Sequence, residues 1–181
     1  MTLLISFLLS LFPPTLADSI VGTWQRTLVT SDASTDTEET QIVSRTFCAD
    51  GSLRECVVYR QRVVWTDTET VELQFRSDIH GSWSVDGRNV LVNYNPKSLS
   101  VRYEGVSFPD RDEALQTSLR AAFQKRNSKY LRNYVKTMEN VLRTYFKRNS
   151  GTALADVAFQ GRQFTATLGQ EIVAFQRVGD D

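Results

Sequence analysis

Gly22-Thr23-Trp24, near the beginning of the chain, is the sequence feature that most constrains the fold. Glycine accepts backbone conformations that other residues avoid, and a tryptophan two residues later is large enough to fill the end of a small β-barrel. The last strand-like run contains Arg177, whose guanidinium group can lie on an indole face. This combination of first and last strands predicts a sheet that closes on itself.

Alternating apolar and polar residues dominate the chain up to residue 108 and return after Gly151. In residues 71–76, for example, Val, Leu and Phe alternate with Glu, Gln and Arg, which is typical of a half-buried strand. Asp50-Gly51 and Asp86-Gly87 are typical of hairpin turns. We therefore predict a mainly β protein of nine or ten short strands, arranged as a small antiparallel up-and-down β-barrel.

The pattern changes to a helical period at about residues 110–150. Residues 110–149 contain no Gly and no Pro, and their apolar residues recur at spacings of three and four. Arg126-Asn127-Ser128 is a plausible break, so we expect two helices, over 111–126 and 129–148. The barrel is thus predicted to carry a helical insertion before its last three strands.

The charge distribution is uneven, although the formal net charge is zero. Residues 110–150 contain ten Lys or Arg and four Asp or Glu, whereas the rest of the chain contains eleven and seventeen. A basic segment on an acidic body bears on which partners the protein binds and not on its fold. The helical insertion is therefore expected to pack on the barrel, to pair with a second copy or a protein partner, or to contact an anionic surface.

Residues 1–17 are typical of a secretory signal peptide. An apolar run over 3–12 is too short to span a bilayer, and it is followed by Pro13-Pro14 and by small residues ending at Ala17. We expect cleavage after Ala17, a single domain over 18–181, and a secreted or periplasmic protein. Export argues against a nucleic-acid partner, and no later stretch predicts a transmembrane span.

Cys48 and Cys56 are the only cysteines, and they flank the Asp50-Gly51 turn. An even pair in an exported protein indicates a disulfide. A tight turn, however, places Cys48 opposite Leu53, so a bridge to Cys56 requires a bulge or a longer loop. Both the bridged and the free states stay open at this stage. With one histidine, the two thiols cannot complete a four-ligand zinc site.

No arrangement of residues indicates catalysis. His80 is the only histidine and has no nucleophile motif near it, and Glu38-Glu39 lies in a polar loop. No glycine-rich phosphate-binding motif is present. We therefore expect a protein that is not an enzyme and that needs no metal or other cofactor.

Together these motifs resemble the lipocalin-like (calycin-type) barrels of exported proteins. The resemblance rests on four segments that occur in the expected order along about two thirds of the predicted mature chain: Gly22-Thr23-Trp24, residues 47–51, residues 81–87, and residues 159–177. It implies a barrel closed by Gly22, Trp24 and Arg177. It also implies that the barrel binds a small hydrophobic ligand, with the basic helical insertion as the alternative functional surface.

Five bulky side chains are candidates for the lining of a ligand cavity: Trp65, Phe75, Trp83, Tyr94 and Phe164. Small barrels are often filled by their own side chains, and the size of these residues favours filling over lining. Arg60 and Arg62 share one face of a long strand. They are either anion-binding groups inside the barrel or solvent-facing residues, and we favour the solvent side.

Overall fold

The structure is a computed structural model that describes residues 14–32, 37–66 and 69–179, with the backbone alone at residues 65 and 66. The predicted signal peptide therefore falls largely outside the described residues. Of the helices in the described part of the chain, none is long and apolar enough to cross a membrane.

Nine strands form from the described residues, and eight of them close into an antiparallel β-barrel, as predicted. Neighbours around the barrel are β1-β2-β3-β4-β5-β7-β8-β9, with β9 paired again to β1, while β6 pairs beside β5 on the same edge of β4. The strands are β1 Gly22–Asp32, β2 Thr37–Phe47, β3 Ser52–Thr66, β4 Glu69–Asp86, β5 Asn89–Tyr94, β6 Ser100–Ser107, β7 Thr152–Gln160, β8 Gln163–Leu168 and β9 Glu171–Val178.

The barrel wall has two heights because its strands differ in length. The edge of β4 that faces away from β3 is shared, with Gly81–Asp86 pairing to β5 and Glu72–Asp78 pairing to β6. On the other side, β1 pairs with β9 only from Thr23 to Gln25. The lower half is therefore a closed barrel, and the upper half is an open trough formed by the long strands.

One long helix covers this trough. Helix α2 runs without interruption over Glu113–Arg148, 36 residues, or about 54 Å at the usual rise of an α-helix. The prediction of two helices was wrong, because residues 126–128 contain no Gly or Pro to end a helix. The Asn127 side chain instead donates a hydrogen bond back to the Phe123 carbonyl at 2.9 Å.

The core is divided into two apolar clusters, one in each half of the barrel. The lower cluster fills the closed barrel and includes Trp24, Phe47, Phe164 and Phe175. The upper cluster lies between the trough and α2, which contributes Phe123 and Leu131. Phe146, near the end of α2, reaches down into the lower cluster. The helix is therefore part of the core and not an appendage.

A short helix, α1 Leu16–Ile20, leads into the barrel floor. Thr15 and Asp18 form a reciprocal capping box at its start. Ile20 is fully buried, and its carbonyl accepts a hydrogen bond from the Trp24 indole at 2.7 Å. This short helix therefore holds the tryptophan that fills the floor.

The hairpin between β2 and β3 keeps the two cysteines apart. The Cys48 carbonyl accepts a hydrogen bond from the Gly51 N–H, and the Cys48 N–H donates to the Ser52 carbonyl. Cys48 therefore lies opposite Ser52, and the expectation that it lies opposite Leu53 was wrong. Cys56 lies four residues further along β3, which is about 13 Å of strand. Disulfides need Cα atoms within about 7 Å, and both cysteines are free thiols in the structure.

Candidate functional site

A layer of polar side chains separates the two apolar clusters inside the barrel. It contains Arg26 of β1, Arg45 of β2, Glu55 of β3 and Tyr94 of β5. Side chains alternate between the two faces of a strand, and these residues occupy the inward-facing positions. The barrel therefore places three charged side chains and a tyrosine where the strand pattern would otherwise place apolar ones.

Arg45 and Glu55 form a buried ion pair at the centre of this layer. They are direct cross-strand partners, and their exposed fractions are 6% and 5%. The Tyr94 hydroxyl donates a hydrogen bond to the same Glu55 oxygen at 2.7 Å. Burial opposes the charge on Arg45, but the Glu55 carboxylate more than offsets this, so the pKa of Arg45 is raised. Burial likewise raises the pKa of Tyr94.

Arg26 supplies a second positive charge that the layer does not neutralise. Its guanidinium carbon lies 5.4 Å from the centre of the Phe175 ring, and so does that of Arg45. Its Nε is buried and has no hydrogen-bond partner among the described residues. Burial and repulsion from Arg45 lower the pKa of Arg26. Two arginines against one glutamate leave this layer with an excess of positive charge.

A pocket of about 210 Å³ opens from this layer towards solvent. Arg45 and Tyr94 contribute to its lining, and Tyr145 and Asn149 of the α2 end border it together with Gly169 of the β8–β9 turn. Its remaining lining residues are mostly apolar or small: Val92, Thr152, Ala153, Leu154 and Leu168. The pocket combines apolar walls with Arg45 and Tyr94, whose Nε and hydroxyl groups are bonded to Glu55. The remaining guanidinium donors of Arg45 are the groups that suit an anionic part of a small organic molecule.

Most of the predicted cavity residues are packed against other side chains. Phe164 stacks on Phe175 with ring centres 4.8 Å apart, and Phe75 lies 4.9 Å from Tyr134 by the same measure. The Trp83 indole donates a hydrogen bond to the Cys48 carbonyl at 2.9 Å. Of the described candidates, Tyr94 alone borders the pocket above. The side chain of Trp65 lies outside the described part of the chain.

Sequence reasoning missed Arg26, Arg45 and Glu55. The signal that would have found them is a charged residue at an inward position between two apolar ones, as in Trp24, Arg26 and Leu28. Arg60 and Arg62, which we did consider, are exposed and occupy the outward positions of β3. The alternation of inward and outward side chains along each strand therefore distinguishes the inward arginines from the exposed ones.

The other candidate features lie outside this polar layer. His80 is exposed, and its backbone N–H is bonded to the Ser98 hydroxyl. No group of three metal-ligating side chains occurs within the residues that the structure describes. All nine Lys and Arg residues of α2 are exposed, and the same helix contains two Glu residues.

A search with protein-family models and a search of curated proteins found no match to this chain.

Proposed function

We propose that this protein is a lipocalin-like barrel that binds a small ligand with a short apolar body and an acidic group. The observation that carries the proposal is the excess positive charge of the polar layer beside a pocket. Arg26 is partly buried and its Nε has no hydrogen-bond partner among the described residues; leaving a buried polar group unpaired is costly, and an anionic ligand would offset that cost. The proposal describes a binding protein and involves no reaction.

The size of the pocket limits the ligand. The lower barrel is filled by its own aromatic side chains, so a large apolar ligand has no space there. A volume of about 210 Å³ corresponds to about seven water molecules at their share of the liquid volume. An acid with a short alkyl chain fits this volume, with its carboxylate near Arg45 and its chain against Val92 and Leu154.

Isothermal titration with hexanoate and hexanol tests the role of the charge. The two probes have the same chain length and differ in the acidic group. Charge-assisted hydrogen bonds are about twice as strong as neutral ones, so we expect hexanoate to bind about tenfold more tightly or better. Equal binding of the two probes would contradict the anionic part of the proposal, and binding of neither would contradict the whole.

Arg26→Gln tests whether the second arginine of the layer, which does not itself line the pocket, contributes to the preference. This substitution removes a positive charge from the layer without leaving Glu55 unpaired, because Arg45 remains. We expect it to abolish most of the preference for hexanoate over hexanol. The matched control is Arg62→Gln, which removes an exposed arginine from the outer face of β3. An unchanged preference in Arg26→Gln would show that the excess charge of Arg26 does not attract the acid, and would contradict the observation on which the proposal rests.

The basic surface of α2 supports a second candidate function. Because its nine Lys and Arg side chains are all exposed, the helix is available to an anionic partner such as a membrane with acidic lipids. Co-sedimentation with vesicles of phosphatidylcholine alone and with added phosphatidylserine tests this. Binding to acidic vesicles that weakens in Lys125→Glu, Lys129→Glu would support it, with Arg62→Glu as the control.

We also propose that the protein is exported, with cleavage after Ala17. Such cleavage would remove Thr15, the helix cap of α1, together with Leu16 and Ala17, which pack against the lower cluster. The intact mass of the protein from the extracytoplasmic fraction tests this proposal. A chain that begins at Asp18 would support export, whereas an uncleaved chain in the cytosolic fraction would overturn it.

A further inference from the structure

The upper half of the barrel contains a second cleft, at the mouth of the trough beside the middle of α2. Its volume is about 440 Å³, about twice that of the pocket beside the polar layer. Residues of β1, β2, β3 and β4 form its base, and Tyr130 and Tyr134 of α2 form its wall. No Lys or Arg borders the cleft among the described residues, although α2 itself is basic. The cleft therefore differs in charge from the pocket that contains Arg45.

The acidic group of this cleft is Glu39. The sequence suggested a polar loop at this position, but Glu39 lies on β2 at an inward position, opposite Thr30 of β1 and Gln61 of β3. Its two carboxylate oxygens each accept a hydrogen bond at 2.6 Å, one from the Gln41 side chain and one from the Gln61 side chain. Within the described residues, Glu39 forms no ion pair. Two neutral amides therefore orient the carboxylate, and its charge has no counter-charge.

Glu39 remains able to accept further hydrogen bonds from a ligand. An ionised carboxylate has about four acceptor positions, and the two glutamine side chains occupy two of them. Asp32 also borders the cleft, but it already has an interaction within the chain. Glu39 is therefore the group that would hold a cation in the cleft.

Aromatic rings line the side of the cleft that α2 forms. The Tyr134 hydroxyl donates a hydrogen bond to Gln61 at 2.8 Å, and the Tyr134 ring lies 4.9 Å from that of Phe75, measured between ring centres. These two contacts hold Tyr134 in place. Its ring centre lies 6.1 Å from that of Tyr130, which is 53% exposed. Because the face of an aromatic ring attracts a cation, the wall and the carboxylate favour the same kind of ligand.

We propose that this cleft binds an organic ammonium ion, with its charge near Glu39 and the two tyrosines and its apolar part against Val63 and Leu73. A metal ion is less suited, because Ca²⁺ takes about six to eight oxygen ligands and the described part of the chain contains no group of three metal-ligating side chains. A carboxylate ligand would be repelled by Glu39. The site is therefore distinct from the proposed acid pocket and does not depend on it.

Isothermal titration with hexylammonium and hexanol tests the role of the charge. The probes have the same alkyl chain, and we expect hexylammonium to bind about tenfold more tightly or better. Glu39→Gln should remove most of this preference, since it replaces the carboxylate with a neutral amide of similar size. The matched control is Glu38→Gln, because Glu38 is the preceding residue of β2 and is exposed. Equal binding of the two probes, an unchanged preference in Glu39→Gln, or an equal loss in the two variants would each overturn the proposal.

Two further measurements locate the cation without relying on a change at Glu39. Tyr130→Leu should weaken hexylammonium binding about threefold or more, and Tyr130→Phe should retain most of it, because the attraction needs the ring and not the hydroxyl. Saturating hexanoate should leave the affinity for hexylammonium unchanged, since the cleft and the acid pocket share no lining residue. Unweakened binding in Tyr130→Leu, or competition between the two probes, would overturn the proposal.

Discussion

Trp24 and Arg177 are direct cross-strand partners at the place where the first and last strands close the barrel. The guanidinium carbon of Arg177 lies 5.4 Å from the centre of the indole ring, and its Nη2 donates a hydrogen bond to the Val21 carbonyl at 3.0 Å. A Cβ atom on Gly22 would lie 3.0 Å from that same nitrogen. The glycine therefore leaves the space in which the arginine crosses the floor.

Trp24→Ala removes a fully buried indole, so we expect it to cost about 3–5 kcal/mol of unfolding free energy. Arg177→Ala removes the contact with the ring and should cost about 1–2 kcal/mol. Because both changes remove one shared contact, the double variant should lose less than the sum. Urea denaturation of the four proteins measures this, and fully additive losses would show that the contact contributes no stability.

Gly81 is required for the pairing of β4 with β5. A Cβ atom there would lie 2.2 Å from the backbone oxygen of Asn93, which no side-chain rotation can relieve. We therefore expect Gly81→Ala to cost about 3 kcal/mol or more. Gly105→Ala on β6 is the control, because a Cβ atom there meets nothing within 4 Å. Thermal melting of both variants tests the difference, and similar losses would contradict it.

The buried pair of Arg45 and Glu55 should be costly to break and cheaper to replace as a whole. Arg45→Met or Glu55→Leu alone leaves an unmatched buried charge, which typically costs about 3–5 kcal/mol. The double variant replaces both groups with apolar side chains, and we expect it to be more stable than either single variant. Guanidinium denaturation provides the three values. A double variant less stable than both single variants would contradict this account.

The buried phenol of Tyr59 should lower the free energy of unfolding in alkaline solution. Burial raises its pKa to about 12 in the folded protein, compared with about 10 in an unfolded chain. The unfolded state therefore loses its proton first as the pH rises. Below about pH 10, Tyr59 contributes its full share of stability, about 2–3 kcal/mol. This contribution is lost as the pH rises from about 10 to about 12.

Denaturation midpoints across this pH range measure that contribution. We expect Tyr59→Phe to flatten the decline, although not completely, because burial also raises the pKa of Tyr94. Tyr130→Phe on α2 is the control, since Tyr130 is 53% exposed. If Tyr59→Phe declined with pH as steeply as the unmodified protein, the buried phenol would not be the cause.

The helix should be essential for stability. Phe146 is 1% exposed and lies 4.7 Å from Tyr94, measured between ring centres, whereas the preceding Tyr145 is 49% exposed. We expect Phe146→Ala to cost about 3–5 kcal/mol and Tyr145→Ala less than about 1 kcal/mol. We also expect the barrel not to fold after removal of residues 110–150, because α2 contributes residues to both apolar clusters. Equal effects of the two variants would contradict it.

Local sequence patterns predicted a substantial part of this fold. The alternation of apolar and polar residues gave the mainly β class, and the helical period gave the insertion at about 110–150. The Gly-x-Trp motif and Arg177 were singled out as the barrel closure, and they lie together in the structure. These features are local in sequence or tied to one distinctive motif, so the strand and helix periods are enough to recognise them.

What only the tertiary structure decided depends on pairing between distant segments. The register of β2 with β3 separates Cys48 from Cys56, and the sharing of the β4 edge between β5 and β6 opens the upper half of the barrel. The same closure brings Arg26, Arg45 and Glu55 into one buried layer from three strands. The alternation in each strand gives the face of a residue but not its height in the barrel, because height is set by non-local hydrogen bonding. The sequence alone therefore determined the mainly β class, the helical insertion and the closing pair, whereas the single long helix, the polar layer and its pocket follow from the closed sheet.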